Sequence, residues 1–111
     1  MSRLAWLVVA LLASACAEPP NKEMDQAQGA IDAARASGAE QYAATAYTAA
    51  TNALTKANEA VALGDYRLAL NHALESREQA QNAAREGAET RARLRGEIER
   101  SMAEVAGLLA Q

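Results

Sequence analysis

The chain has one thiol and one imidazole, Cys16 and His72. A zinc centre draws on three or four Cys, His or carboxylate ligands at set spacings. With no second histidine, His72 would need carboxylates at fortuitous positions, so it reads as an exposed helix residue. The acidic residues are scattered along the chain, whereas an acid–base pair needs two carboxyls in one cleft that drives their pKa values apart. Ser76 and Ser101 have no base at a recognisable spacing and read as ordinary helix residues. There is no glycine-rich phosphate loop and no nucleophile motif. These residues predict no enzyme, no metal and no cofactor.

Cys16 is different because of what precedes it. Arg3 is followed by an uncharged stretch, Leu4–Ala13. Its ten or so residues suit the apolar part of an export signal and fall well short of the roughly 20 needed to span a bilayer. Small residues then lead into the cysteine: Leu12-Ala13-Ser14-Ala15-Cys16. The run resembles a lipobox, in which the thiol is acylated and the chain is cut just before it. Ala13 stands where leucine is usual. Ala13-Ser14-Ala15 also fits a simple secretory cleavage site, which would release a protein with a free thiol. A lone exported cysteine has no disulfide partner, and lipidation gives it a use. The expectation is therefore a signal over residues 1–15, a lipid on Cys16, and a membrane partner reached through that lipid. Ala17, rather than aspartate, points to the outer membrane, periplasmic face.

Removal of residues 1–15 leaves about 96 of 111, enough for one modest domain. Half the chain is apolar, but there is no Phe and the single Trp, Trp6, lies in the signal. Much of the apolar content is alanine, which cannot build a thick core but lets helices approach closely and has the best helix propensity. The formal charge is −3, and −4 once Arg3 is lost. An acidic exported chain argues against a nucleic-acid partner.

Residues 16–21 read as a tether stiffened by Pro19-Pro20. Asn21 is the expected cap of a helix over 22–37 carrying the stripe Met24, Ala27, Ile31, Ala34, with Gly38 as its left-handed stop. A second helix is predicted over 40–63 with the stripe Tyr47, Ala50, Leu54, Ala57, Val61, and Gly64 ends it. Asp65 should cap a third helix running over 65–109. Its stripe Ala69, Ala73, Ser76, Ala80, Ala83, Gly87, Thr90, Leu94 steps by four and three in coiled-coil fashion, and nearly every member is small. Tyr42, Tyr47 and Tyr66 suit the wide ends of such a bundle.

A helix from Tyr66 to Leu109 would be about 65 Å long, and the second helix about half that. The fold-back therefore reaches only to about Gly87. Beyond it the stripe turns bulky: Leu94, Ile98, Met102, Val105, Leu109. Either the helix breaks near Gly87 and its tail folds back, or it continues and offers this seam to a partner. One glycine costs about 1 kcal/mol in a helix, so continuity is expected. Arg91, Arg93, Arg95 and Arg100 could meet phosphates or an acidic partner. Arg85–Glu89, Glu89–Arg93, Arg93–Glu97 and Arg95–Glu99 are also i,i+4 pairs, which make a solvated face. The fold expected is all-α: an antiparallel three-helix bundle with a long, partly projecting C-terminal helix.

Two resemblances add to this. Leu63-Gly64-Asp65-Tyr66-Arg67-Leu68-Ala69 looks like the inter-helix corner of a tetratricopeptide repeat, although Ala73 and Ser76 depart from that pattern and no 34-residue repetition is visible. More broadly, the chain resembles a family of alanine-rich helical envelope lipoproteins defined only as a domain of unknown function, some of whose members add an OmpA-like domain. The likeness rests on Ala33-Ala34-Arg35-Ala36, Gly38-Ala39, Tyr42-Ala43, Ala53-Leu54-Thr55-Lys56-Ala57 and Gly64-Asp65-Tyr66 with Ala69 and Ala73. It implies fold and location and supplies no activity. The expected role is non-catalytic, interaction or structure through the bundle and the seam Leu94, Ile98, Met102, Val105, Leu109, with a second copy or an envelope protein as partner and no small-molecule substrate. The alternative is a small-ligand-binding or peptidoglycan-associated module. No lysine follows Lys56, which counts against a lysine-linked murein spacer.

Overall fold

The computed structural model describes residues 18–111. The signal segment and Cys16 lie outside them. Four helices follow in order: α1 (Asn21–Ala36), α2 (Ala39–Tyr42), α3 (Ala44–Ala62) and α4 (Tyr66–Leu109). Among the described residues there is no strand, and the helices pack on one another with α4 as the common surface.

The start of α1 differs from the sequence expectation. Pro20, not Asn21, holds the cap position, and no side chain caps the helix. The Pro20 carbonyl accepts the first helical bond, from the Met24 N–H at 3.0 Å. Proline suits this place because its missing N–H has no helical partner to lose. Pro20 is also buried. Pro20 is thus already packed on the bundle, inside the stretch 16–21 that reads as a spacer.

Both helix stops are glycine devices. Gly38 has φ +84° and Gly64 φ +75°, a region open to glycine at little cost. At the second stop the Gly64 N–H donates to Val61 O and the Asp65 N–H to Ala60 O, the paired bonds that close a helix end. Asp65 then caps α4, its carboxylate accepting the Leu68 N–H at 3.2 Å.

The segment expected as one helix over 40–63 is bent. Ala43 leaves helical geometry at φ −141°, ψ 46° and separates α2 from α3. Nothing local requires this, since alanine is the best helix former. Ala39 and Ala43, before and at the bend, bury in one cluster with Ala34 and Ala83. The α3 stripe also turns: Ala50, Ala53, Ala57 and Ala60 are buried, while Tyr47, Leu54 and Val61 flank them half-buried.

On α4 the buried residues are Ala69, Ala73, Ser76, Ala80, Ala83 and Gly87. The core is almost wholly alanine, and Ile31 is its one larger aliphatic. Arg77 reaches Gln26 and Arg91 reaches the Ala36 carbonyl, so α1 runs parallel to α4. Ser76 meets Ala50, and Ala46 and Tyr47 pack against the cluster that holds Ala83, so α3 runs antiparallel to both. The amino end of α1 therefore shares an end of the bundle with the Gly64 corner, and α4 leaves the bundle at the opposite end.

Candidate functional site

Helix α4 does not break at Gly87. It runs on to Leu109, about 33 Å past that glycine, with no other described segment folded back on it. The last described contacts of the bundle with α4 sit at its rim. Gly87 lies against Ser37 and Ala39. One turn on, Arg91 lies over Gly38 and donates from Nη1 to Ala36 O at 3.0 Å. That bond uses a carbonyl that α1 leaves unpaired at its end.

Leu94 is half-buried at the rim, beside Tyr42 and Ile98 in an open groove that Arg91, Arg95 and Glu99 complete. Beyond it the seam is bare: Ile98 is 59% exposed, Met102 66%, Val105 55% and Leu109 83%. Among the described residues the bundle packs on Leu94 alone of this stripe and leaves Ile98, Met102, Val105 and Leu109 uncovered. At about 100° per residue, Leu94, Ile98, Met102, Val105 and Leu109 all lie within about 60° of the direction of Gly87. The seam is the bundle-facing side of α4 continued past the point where the bundle stops. Exposed apolar residues that share one face mark an interaction surface in a way that scattered ones do not. Sequence reasoning missed Leu108, 70% exposed beside the seam, and Tyr42 at its root. Leu108 falls on the older four–three repeat counted on from Leu94, which was the signal available.

The charged face behaves differently from expectation. The ion pairs among the described residues are Arg35–Asp32 and Arg35–Glu40. None of the four i,i+4 pairs from Arg85 to Glu99 is among them. Arg85 turns to Asn82, and Arg100 to the Gly96 carbonyl. Solvated arginines lose side-chain entropy in such pairs for a return of a few tenths of a kcal/mol. Arg35 has a structural task. Its Nε and Nη2 donate to the Tyr47 hydroxyl at 3.2 and 2.9 Å, joining α1 to α3. The guanidinium pKa is raised by that hydroxyl and then by Glu40.

His72 is half-buried with its Nδ1 3.4 Å from Glu75. Among the described residues no three His, Cys, Asp or Glu side chains come together as a metal site. Ser76 is fully buried and donates to Ala50 O at 2.7 Å, while Ser101 is exposed on the tail. An open polar groove runs between α1 and α3, lined by Gln28, Arg35, Thr51, Thr55 and Asn58. No described helix is long and apolar enough to cross a membrane.

A family model described as a domain of unknown function (DUF4398) matches residues 22–97. The chain belongs to this family. The DUF4398 match spans α1 to α3 and α4 as far as the rim, including Leu94. It stops before Ile98, so most of the seam lies beyond the matched segment. Comparison with curated proteins returned no match, and neither did comparison with solved structures.

Proposed function

We propose that this chain is a non-catalytic, lipid-anchored envelope protein that serves as an interaction module. Acylation at Cys16 holds one end of the bundle at the outer membrane, facing the periplasm, and the α4 seam at the other end receives a protein partner. The observation that carries this is the bare seam of Ile98, Met102, Val105 and Leu109 on a helix that outruns its bundle. The polarity of the fold supports the division of labour. The amino end of α1 lies near the Gly64 corner, so Leu109 is held about 55–65 Å from the anchored end. The small-ligand alternative has the polar groove between α1 and α3 in its favour, but that groove is open, and ligand sites bury most of their ligand.

Two measurements test the reading. Cys16→Ser should abolish incorporation of labelled fatty acid, and unchanged labelling would overturn the anchor. Capture from envelope extracts on the lipidated protein should retain a partner that Ile98→Glu with Val105→Glu releases. Equal retention by the variant would remove the seam from the function.

A further inference from the structure

Among the described residues, the surfaces that the bundle does not explain are the tail seam, the α1–α3 groove and the arginine-rich stretch from Arg91 to Arg100. The seam carries an inference furthest, because the fold limits what can lie on it. It faces the same way as the bundle-bearing side of α4, and the bundle ends abruptly at Tyr42 and Arg91. A helix laid on the seam must therefore extend the α1–α2 layer end to end and stop against that rim.

We infer that the occupant is the tail of a second copy, paired antiparallel; this rests on the seam being the interaction surface. Parallel pairing is sterically closed. Two copies laid seam to seam in parallel would force both bundles into the space between the two α4 helices. Antiparallel pairing sends each tail into the empty space beyond the other's bundle. In that arrangement Leu94 meets Leu109 of the second copy, Ile98 meets its Val105, and the two Met102 side chains lie near the twofold axis. Leu108 and Leu109 of each copy then close over the groove that holds Tyr42, Leu94 and Ile98. Charge favours the same direction. Residues 91–100 carry four arginines against Glu97 and Glu99, and residues 101–111 carry only Glu104. Antiparallel pairing sets the basic half of each tail against the weakly acidic half of the other, whereas parallel pairing stacks the arginines. The amino ends then point in opposite directions, on the order of 95 Å apart.

Five seam residues per copy make a small interface, below the roughly 1,200 Å² of standard stable complexes. The dimer should be weak and should form on the order of tens of micromolar. The helices α1–α4 and their core lie within residues 18–111, so a chain starting at Ala17 keeps the whole bundle. That chain also has no cysteine. Sedimentation over a concentration series should show mass rising from monomer to dimer. Ile98→Glu with Val105→Glu should abolish the rise without changing the melting temperature, because both side chains are exposed. Under mild oxidation a mixture of Leu94→Cys and Leu109→Cys chains should give the mixed disulfide in excess over either self-linked product. A monomer throughout the series, or dominant self-linking of Leu94→Cys, would overturn the antiparallel pair. A monomer that still captures an envelope protein through the seam would overturn self-pairing and leave the proposed function standing. A monomer whose capture is indifferent to the seam would overturn both.

Discussion

A Cβ placed on Gly87 falls 2.8 Å from the carbonyl oxygen of Ser37 and 3.2 Å from the Ala39 nitrogen. The corner between α1 and α2 therefore rests on a spot of α4 that has no side chain. Both neighbours are backbone and cannot swing aside. Two effects oppose each other in Gly87→Ala. Alanine gains about 1 kcal/mol of helix propensity, and the clash costs about 1–3 kcal/mol in a packed site. The clash against backbone should win, for a net loss of up to about 2 kcal/mol by urea denaturation. Gly96 has nothing within 4 Å of such a Cβ, so Gly96→Ala keeps only the gain and should raise tail helicity by circular dichroism. Equal effects of the two substitutions would remove the close approach as the reason for Gly87.

Among the described residues Ser76 is the one buried polar side chain, and its hydroxyl reaches across to α3 at Ala50 O. A net hydrogen bond contributes about 1 kcal/mol, and removing its donor costs about that much when the acceptor keeps another partner. The Ala50 carbonyl lies inside α3 and keeps its helical bond. Ser76→Ala should thus lose about 1 kcal/mol, whereas Ser76→Leu should lose more by overpacking a layer of alanines. A Ser76→Leu protein as stable as the parent would mean that this layer is not packed as described.

The fold was legible where a residue type has one physical use. Gly38 and Gly64 marked the helix ends, Asp65 the cap, and the small-residue stripe from Ala69 to Gly87 the buried side of α4, because close helix packing demands small side chains there. The bend at Ala43 was not legible, since the alanines around it would equally well continue a helix. The cap at Pro20 was hidden by Asn21, a residue with high cap preference one position too late. The seam was legible as a change from small to bulky residues. That it stays bare follows from the length of α4 against that of α1 and α3.

Asp65 offers a test of the corner itself. Its carboxylate accepts the Leu68 N–H and sits at the positive end of the α4 dipole. Asp65→Ala should cost about 1 kcal/mol, within the range of lost caps, and Asp65→Asn should retain most of the stability. Melting temperatures of the three proteins order the contributions. An alanine variant as stable as the parent would show that the Gly64 stop alone holds the corner.

The tail and the bundle should behave as separate cooperative units below the concentration at which copies pair. The buried residues of α4 run from Ala69 to Gly87, whereas none is buried from Ile98 onward and the hydrogen bonds described there lie within the helix. A helical stretch of this length with no packing partner is marginal in water. Amide hydrogen exchange should be fast over 98–109 and slow over 73–87, where it tracks global unfolding. Proline sharpens the contrast, since it removes a helical bond and clashes with the preceding turn at a cost of about 3 kcal/mol. Ser101→Pro should lower the helical signal of the tail and leave the thermal midpoint of the bundle unchanged. Gln79→Pro, within the packed stretch, should unfold the whole domain. A drop in the bundle's midpoint with Ser101→Pro would mean that the tail is coupled to the core through contacts that the bare seam does not provide.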